Sequence, residues 1–162
     1  MSCIYVNTFP LPIITKIILP KILKWKVKGK KGAVITISSV AGWDVMHKGL
    51  SIYSATKCFN LRFSEILEKE YKDQIDVHCV LPASVDTNLN KDPSGLFAID
   101  SNSFAKQSLS KVGYESTSNG HWKHCTQVYF SKWGPTWWLI CKIDDWHRLK
   151  IIKKRIKEGK EI

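Results

Sequence analysis

A chain of 162 residues with 44% hydrophobic and 24% charged side chains is long enough for one domain with a hydrophobic core, and too apolar for wholesale disorder. The formal net charge of +11 admits a nucleic acid, an anionic membrane or a polyanionic ligand as partner; no nucleic-acid motif accompanies it, and a solvated basic surface is the plainer reading. Scattered Cys3, Cys58, Cys79, Cys125 and Cys141, with no CxxC pair, suit free thiols in a reducing compartment better than a disulfide framework.

The first residues do not read as a signal peptide: no basic region opens them, and Pro10, Pro12, Thr15 and Lys16 interrupt the apolar run. No stretch reaches the roughly 18 uninterrupted apolar residues of a transmembrane helix. Pro12 to Lys24 predicts a helix that Pro20 should kink or end. Val27 to Lys31 is a basic turn within the cluster Lys21, Lys24, Lys26, Lys28, Lys30 and Lys31. The β-branched run Ala33 to Ile37 predicts a buried strand of a parallel sheet. Ser38 to Gly49 reads as a loop. Tyr53, Phe59, Phe63, Ile66, Leu67 and Tyr71 recur near helical spacing, so Ser51 to Tyr71 predicts a helix. Ile75 to Leu81 predicts a second strand, stopped by Pro82, and the three elements make a βαβ unit. A polar loop should follow to Asp100, then a helix over Ser103 to Val112, a Trp-rich stretch over Trp133 to Ile140 and a helical basic tail from about Asp144. From Arg148 to Ile162 that tail carries seven cations against two acids.

Chemistry concentrates at Tyr53-Ser54-Ala55-Thr56-Lys57. Tyr and Lys four apart share a helix face. A free phenol, with a pKa of roughly 10, is a poor acid at neutral pH. A nearby ammonium favours the phenolate, which makes proton transfer to a reduced carbonyl oxygen feasible. Taken alone the pair recurs by chance, on a helix with a packed Tyr and an exposed Lys. Its setting adds weight: Ser38 and Ser39 end the first strand, where open α/β sheets build their sites. A serine there can hydrogen-bond a substrate carbonyl and steady its developing charge.

Gly32 to Ser39, Tyr53 to Lys57 and Leu81-Pro82 together resemble the short-chain dehydrogenase/reductase family. Within it the chain is similar to the 17-beta-hydroxysteroid dehydrogenase type 12 group, the very-long-chain 3-oxoacyl-CoA reductases. Further points of likeness are Asn7 followed by Ile18-Leu19-Pro20, Val85-Asp86-Thr87, Lys111 to Tyr114 and Asn119-Gly120. The resemblance implies an α/β fold: the C-terminal part of a Rossmann-like doubly wound parallel sheet, with the first strands and the Gly-rich phosphate-binding turn missing. It divides the chain into a partial catalytic domain over 1–132 and a Trp-rich, basic extension over 133–162. Tyr53 would be the general acid/base. Lys57 would favour its ionised form and bind the nicotinamide ribose. Ser39 would hold the substrate carbonyl, and Asn7 would support a proton-relay water. Pro82, Val85 and Thr87 match the loop against the nicotinamide end of the cofactor.

The implied cofactor is NADP(H), and the implied substrate a 3-oxoacyl-CoA or a steroid ketone, in fatty acid elongation or steroid metabolism at the endoplasmic reticulum membrane. Without a membrane span read in the sequence, a cytoplasmic location is the alternative. Because Gly29 and Gly32 precede a strand instead of opening a helix, the expectation is a fragment inactive alone. Such a fragment could pair with a full-length relative as a homo- or heterodimer. The Trp residues and the basic tail raise a second partner, a membrane surface. Nucleic acid is not expected. His121, His124 and Cys125 hint at a metal cluster, but no fourth ligand is evident and no metal site is expected.

Overall fold

Two β-branched or apolar runs lie side by side in the computed structural model: β1 (Gly32–Ile37) and β2 (Ile75–Val80) pair in parallel, with Gly32 opposite Ile75 and Ile37 opposite Val80. Helix α3 (Ser51–Tyr71) joins them, as the sequence predicts. The structure describes residues 2–25, 30–43, 49–87 and 99–133, with positions 138, 139, 142, 143, 146 and 150. Helices α1 (Ser2–Thr8) and α2 (Pro10–Lys24) precede the unit. After β2 come β3 (Val85–Asp86), β4 (Ile99–Asp100), α4 (Ser101–Leu109), β5 (Thr117–Ser118) and α5 (Trp122–Ser131). The main sheet has the order β1-β2-β5, all parallel, and β3 pairs with β4 in a separate two-stranded parallel sheet.

Two expectations need correction. The helix predicted from Pro12 begins at Pro10, where the fixed φ of proline suits a first turn, and it runs through Pro20 to Lys24. Pro20 and Lys16 both lie exposed, so the Lys16 carbonyl that loses its amide partner can turn to water. Second, β1 is not buried on both faces. Val34 and Thr36 face inward, towards α2 and α3, while Ile35 and Ile37, on the other face, are 41% and 53% exposed. Residues 2–24 also hold an 18-residue window of mean hydropathy 1.4, long and apolar enough to cross a membrane by length and composition alone, with Lys16 inside the apolar run. The backbone bonds from Phe9 N–H to Tyr5 O and from Ile13 N–H to Phe9 O carry the ladder across the bend at Phe9.

Two apolar clusters hold the layers. Leu67, Ile75 and Val77 gather Leu19, Ile22, Leu23, Val34 and Phe63 between α2, α3 and the sheet. Val40, Leu61, Cys79, Leu81 and Val128, with Ala83 against them, join the strand ends to α3 and α5. The basic turn, the loop after Trp43, the loop before Ile99, the Trp-rich stretch and the basic tail fall partly or wholly outside the described residues, and so does the extension expected over 133–162.

Candidate active site

The two serines at the end of β1 have different tasks. Ser38 continues the ladder, its N–H donating to Val80 O at 2.8 Å, and its hydroxyl donates to the backbone carbonyl of Lys57 at 2.6 Å. It is spent on joining strand to helix. Ser39 is extended and caps a short 3₁₀ turn over Val40–Gly42, its Oγ accepting from Ala41 N–H at 3.2 Å. Its own hydrogen reaches Pro82 O only at 3.5 Å, the outer limit of a hydrogen bond. Ser39 Oγ is therefore fixed in place but weakly engaged as a donor. Gly42 lies so close to α3 that an added Cβ would sit 2.5 Å from the Lys57 carbonyl carbon.

One turn of α3 carries Tyr53 and Lys57. Lys57 Nζ donates to Ile37 O at 3.1 Å and stands 5.7 Å from the centre of the Tyr53 ring. Strand end, ammonium and phenol ring are thus contiguous. Burial pushes the Lys57 pKa down, because a desolvated ammonium is disfavoured; the thiols of Cys79 and Cys3 oppose that shift. Asn7, on α1, donates from Nδ2 to Thr56 Oγ1 at 3.0 Å and to Cys3 Sγ at 3.4 Å. Thr56 in turn donates to Tyr53 O at 2.7 Å. Asn7 is therefore tied to the turn between Tyr53 and Lys57. Asn7 and Lys57 share the wall of a cleft of about 360 Å³ with Thr15, Thr36 and Asn60; Ser39 and Tyr53 are not part of that wall.

Of the residues expected in the cofactor loop, Pro82 meets the site directly: its carbonyl accepts from Val40 N–H at 3.1 Å as well as from Ser39. Val85 sits in β3 opposite Ile99, and Thr87 is exposed just beyond it. The stretch expected to hint at a metal cluster is the start of α5. His121 caps that helix, its Nδ1 accepting from Lys123 N–H at 3.2 Å, and its Nε2 lies 3.3 Å from Ser103 Oγ. Reading the sequence missed Thr56 and Gly42. Thr56 lay inside the Tyr-x-x-x-Lys motif, and Gly42 close behind the serine pair, but neither has a side-chain chemistry that stands out.

The family model for short chain dehydrogenase matches residues 1–94. "Putative steroid dehydrogenase 4" of Caenorhabditis elegans is 38% identical over 136 residues, covering 83% of this chain and 50% of its own length. The very-long-chain 3-oxoacyl-CoA reductase of Bos taurus is 35% identical over 136 residues, covering 83% of this chain and 42% of its own. Among solved structures, a short-chain dehydrogenase from Sphingobium yanoikuyae in complex with NADPH superposes with a TM-score of 0.56 at 28% identity, covering 67% of this chain and 42% of that one. The chain spans about half the length of the curated relatives it matches. With its parallel sheet, strand-end serine and Tyr-x-x-x-Lys helix, it belongs to the short-chain dehydrogenase family of oxidoreductases.

Proposed function

We propose that the chain carries the proton-transfer set of an NADP(H)-dependent reductase of a 3-oxoacyl-CoA or steroid ketone. The observation that carries this reading is the Lys57 ammonium, held at the end of β1 by Ile37 O and set beside the Tyr53 ring. The donor set fits the ribose end of a nicotinamide cofactor: Lys57 offers N–H donors to hydroxyls, with Asn7 on the same cleft. Pro82, Val85 and Thr87 follow the C-terminal end of β2, the end at which open α/β sheets take their ligands. Bound there, the nicotinamide supplies the hydride. Ser39 Oγ–H turns from Pro82 O to the substrate carbonyl and stabilises the developing alkoxide. Tyr53 donates its phenolic proton to that oxygen, giving the alcohol, and Lys57 stabilises the phenolate left behind. Asn7 holds the helix turn through Thr56. An endoplasmic-reticulum location belongs to the same reading, which rests on the resemblance to the 3-oxoacyl-CoA reductases.

The exposed apolar side chains Tyr5 on α1, Phe9 at the bend, and Ile13 and Ile17 on α2, with Phe59 and Ile66 on α3, favour a second reading. In it the chain is inactive alone and pairs through these helices with a full-length relative. Titration with NADPH and turnover of a 3-oxoacyl-CoA separate the two. The first reading expects binding, and Tyr53→Phe should lower kcat/KM by about 10²–10⁴-fold with NADPH affinity retained. Absence of NADPH binding, with co-elution of chain and full-length relative, replaces it with the second.

A further inference from the structure

Both ring nitrogens of His124 engage the turn that follows β2. Ala83 N–H donates to Nδ1 at 3.3 Å, so that nitrogen carries no hydrogen. The neutral ring then bears its hydrogen on Nε2, which meets the carbonyl of Ser84 at 3.1 Å. The ring is completely buried, and its centre lies 5.6 Å from that of Phe104 on α4. The gripped turn is the one whose preceding carbonyl, Pro82 O, accepts from Val40 N–H and from Ser39 Oγ. Val128, a helical turn beyond His124, sits in the same apolar cluster as Val40 and Leu81.

We propose that His124 is a positioning residue: from α5 it clamps the turn over 82–84, and through the Pro82 carbonyl, which takes the Val40 N–H, it sets the 3₁₀ turn that Ser39 caps and the start of the 85–87 segment. An imidazole suits the task because it presents one acceptor and one donor on a rigid ring, matching one backbone N–H and one backbone C=O. The clamp itself is independent of the catalytic reading; only the use made of Ser39 and of the 85–87 segment rests on it.

Ring ¹⁵N shifts of the full chain should report His124 protonated on Nε2 and bare on Nδ1; the opposite tautomer overturns the clamp. In His124→Leu, amide hydrogen exchange at Ala83 and at Val40 should each speed up by about tenfold, the loss of roughly one hydrogen bond. Exchange at Val34 and Val77, in the other cluster, should not change. In His124→Gln, whose amide also offers an acceptor and a donor, Ala83 and Val40 should return to the wild-type rate. Acceleration at Ala83 without Val40, equal acceleration through the whole sheet, or no recovery in the Gln variant overturns the proposal. If the Leu variant does not fold, the ring tautomer and Val40 exchange in the Gln variant decide it. NADPH gives a separate readout. Where the wild-type chain binds it, His124→Leu should weaken affinity by about tenfold and His124→Gln should not; unchanged affinity in the Leu variant overturns the positioning of the 85–87 segment. Where the wild-type chain does not bind NADPH, the catalytic reading fails while the exchange data still decide the clamp.

Discussion

Residues 32–80 and residues 81–131 are built on different principles. The first region is a strand-helix-strand unit in which Val34, Leu61, Leu67, Ile75 and Val77 pack between α3 and the sheet, with the Thr36 and Ser64 hydroxyls hydrogen-bonded to each other among them. The second has two-residue strands and a polar interior. His78, which β2 sends towards it, is completely buried between Glu115 O and Ser118 Oγ, and His121 and His124 are buried as well. Its order comes from imidazoles that reach backbone groups far away in sequence, and from hydroxyls that meet the imidazole rings. Hydrophobic packing tolerates small shifts, since it has no direction. Hydrogen-bonded histidines do not, because each ring nitrogen has one role and one angle. The helix that carries Tyr53 and Lys57 thus stands on the aliphatic region, and the loop expected to face the cofactor hangs from the polar one.

The largest expected break comes in the aliphatic region. Leu61 is 1% exposed, and Leu61→Ala should cost about 2–5 kcal/mol, measured by urea unfolding. A loss well below that range would mean the cluster collapses easily and the contrast is overstated. In the polar region, Ser118→Ala removes the partner of His78 Nε2 and of Gly120 N–H together. Leaving them buried and unpaired should cost about 1–3 kcal/mol by the same measurement, although only one oxygen atom is lost. A neutral outcome would show that the hydroxyl merely fills space.

The smallest effect is a pH slope. Burial pushes the His121 pKa below its ordinary 6.5, helped by the Lys123 charge and opposed by Asp100. The unfolded chain therefore binds more protons than the folded one as pH falls below 6.5, and stability should decline through that window. His121→Asn, which can still cap α5, should flatten this decline in a melting series from about pH 7.5 to about pH 5. A slope unchanged by the substitution would assign acid sensitivity to other groups.

The same contrast explains what the sequence could tell. The ends of α3 and the pairing of β1 with β2 followed from apolar spacing, and that periodicity is what the aliphatic region is made of. Helix α5 escaped notice because the residues it buries are His124, Val128 and Ser131: the spacing is helical but the chemistry is mostly polar. Two-residue strands such as β5 contain no period at all. Of the residues expected at the site, Tyr53 and Lys57 stood out as a motif, while Ser39 and Asn7 were singled out only through the family resemblance. That Ser38 is the structural serine and Ser39 the weakly engaged one was not, because the distinction lies in which carbonyl each hydroxyl meets. That Pro20 does not end α2 was not legible either: its cost to a helix depends on whether the orphaned carbonyl finds water, which only the fold decides.

The close approach of Gly42 to α3 has a mechanical consequence. With no clearance for even one methyl group between the 3₁₀ turn and the backbone at Lys57, turn and helix form a single solid corner. The turn that Ser39 caps and the helix backbone at Lys57 are thereby set side by side. Any residue larger than glycine at 42 must push the turn and α3 apart, and so shift Ser39 against Lys57.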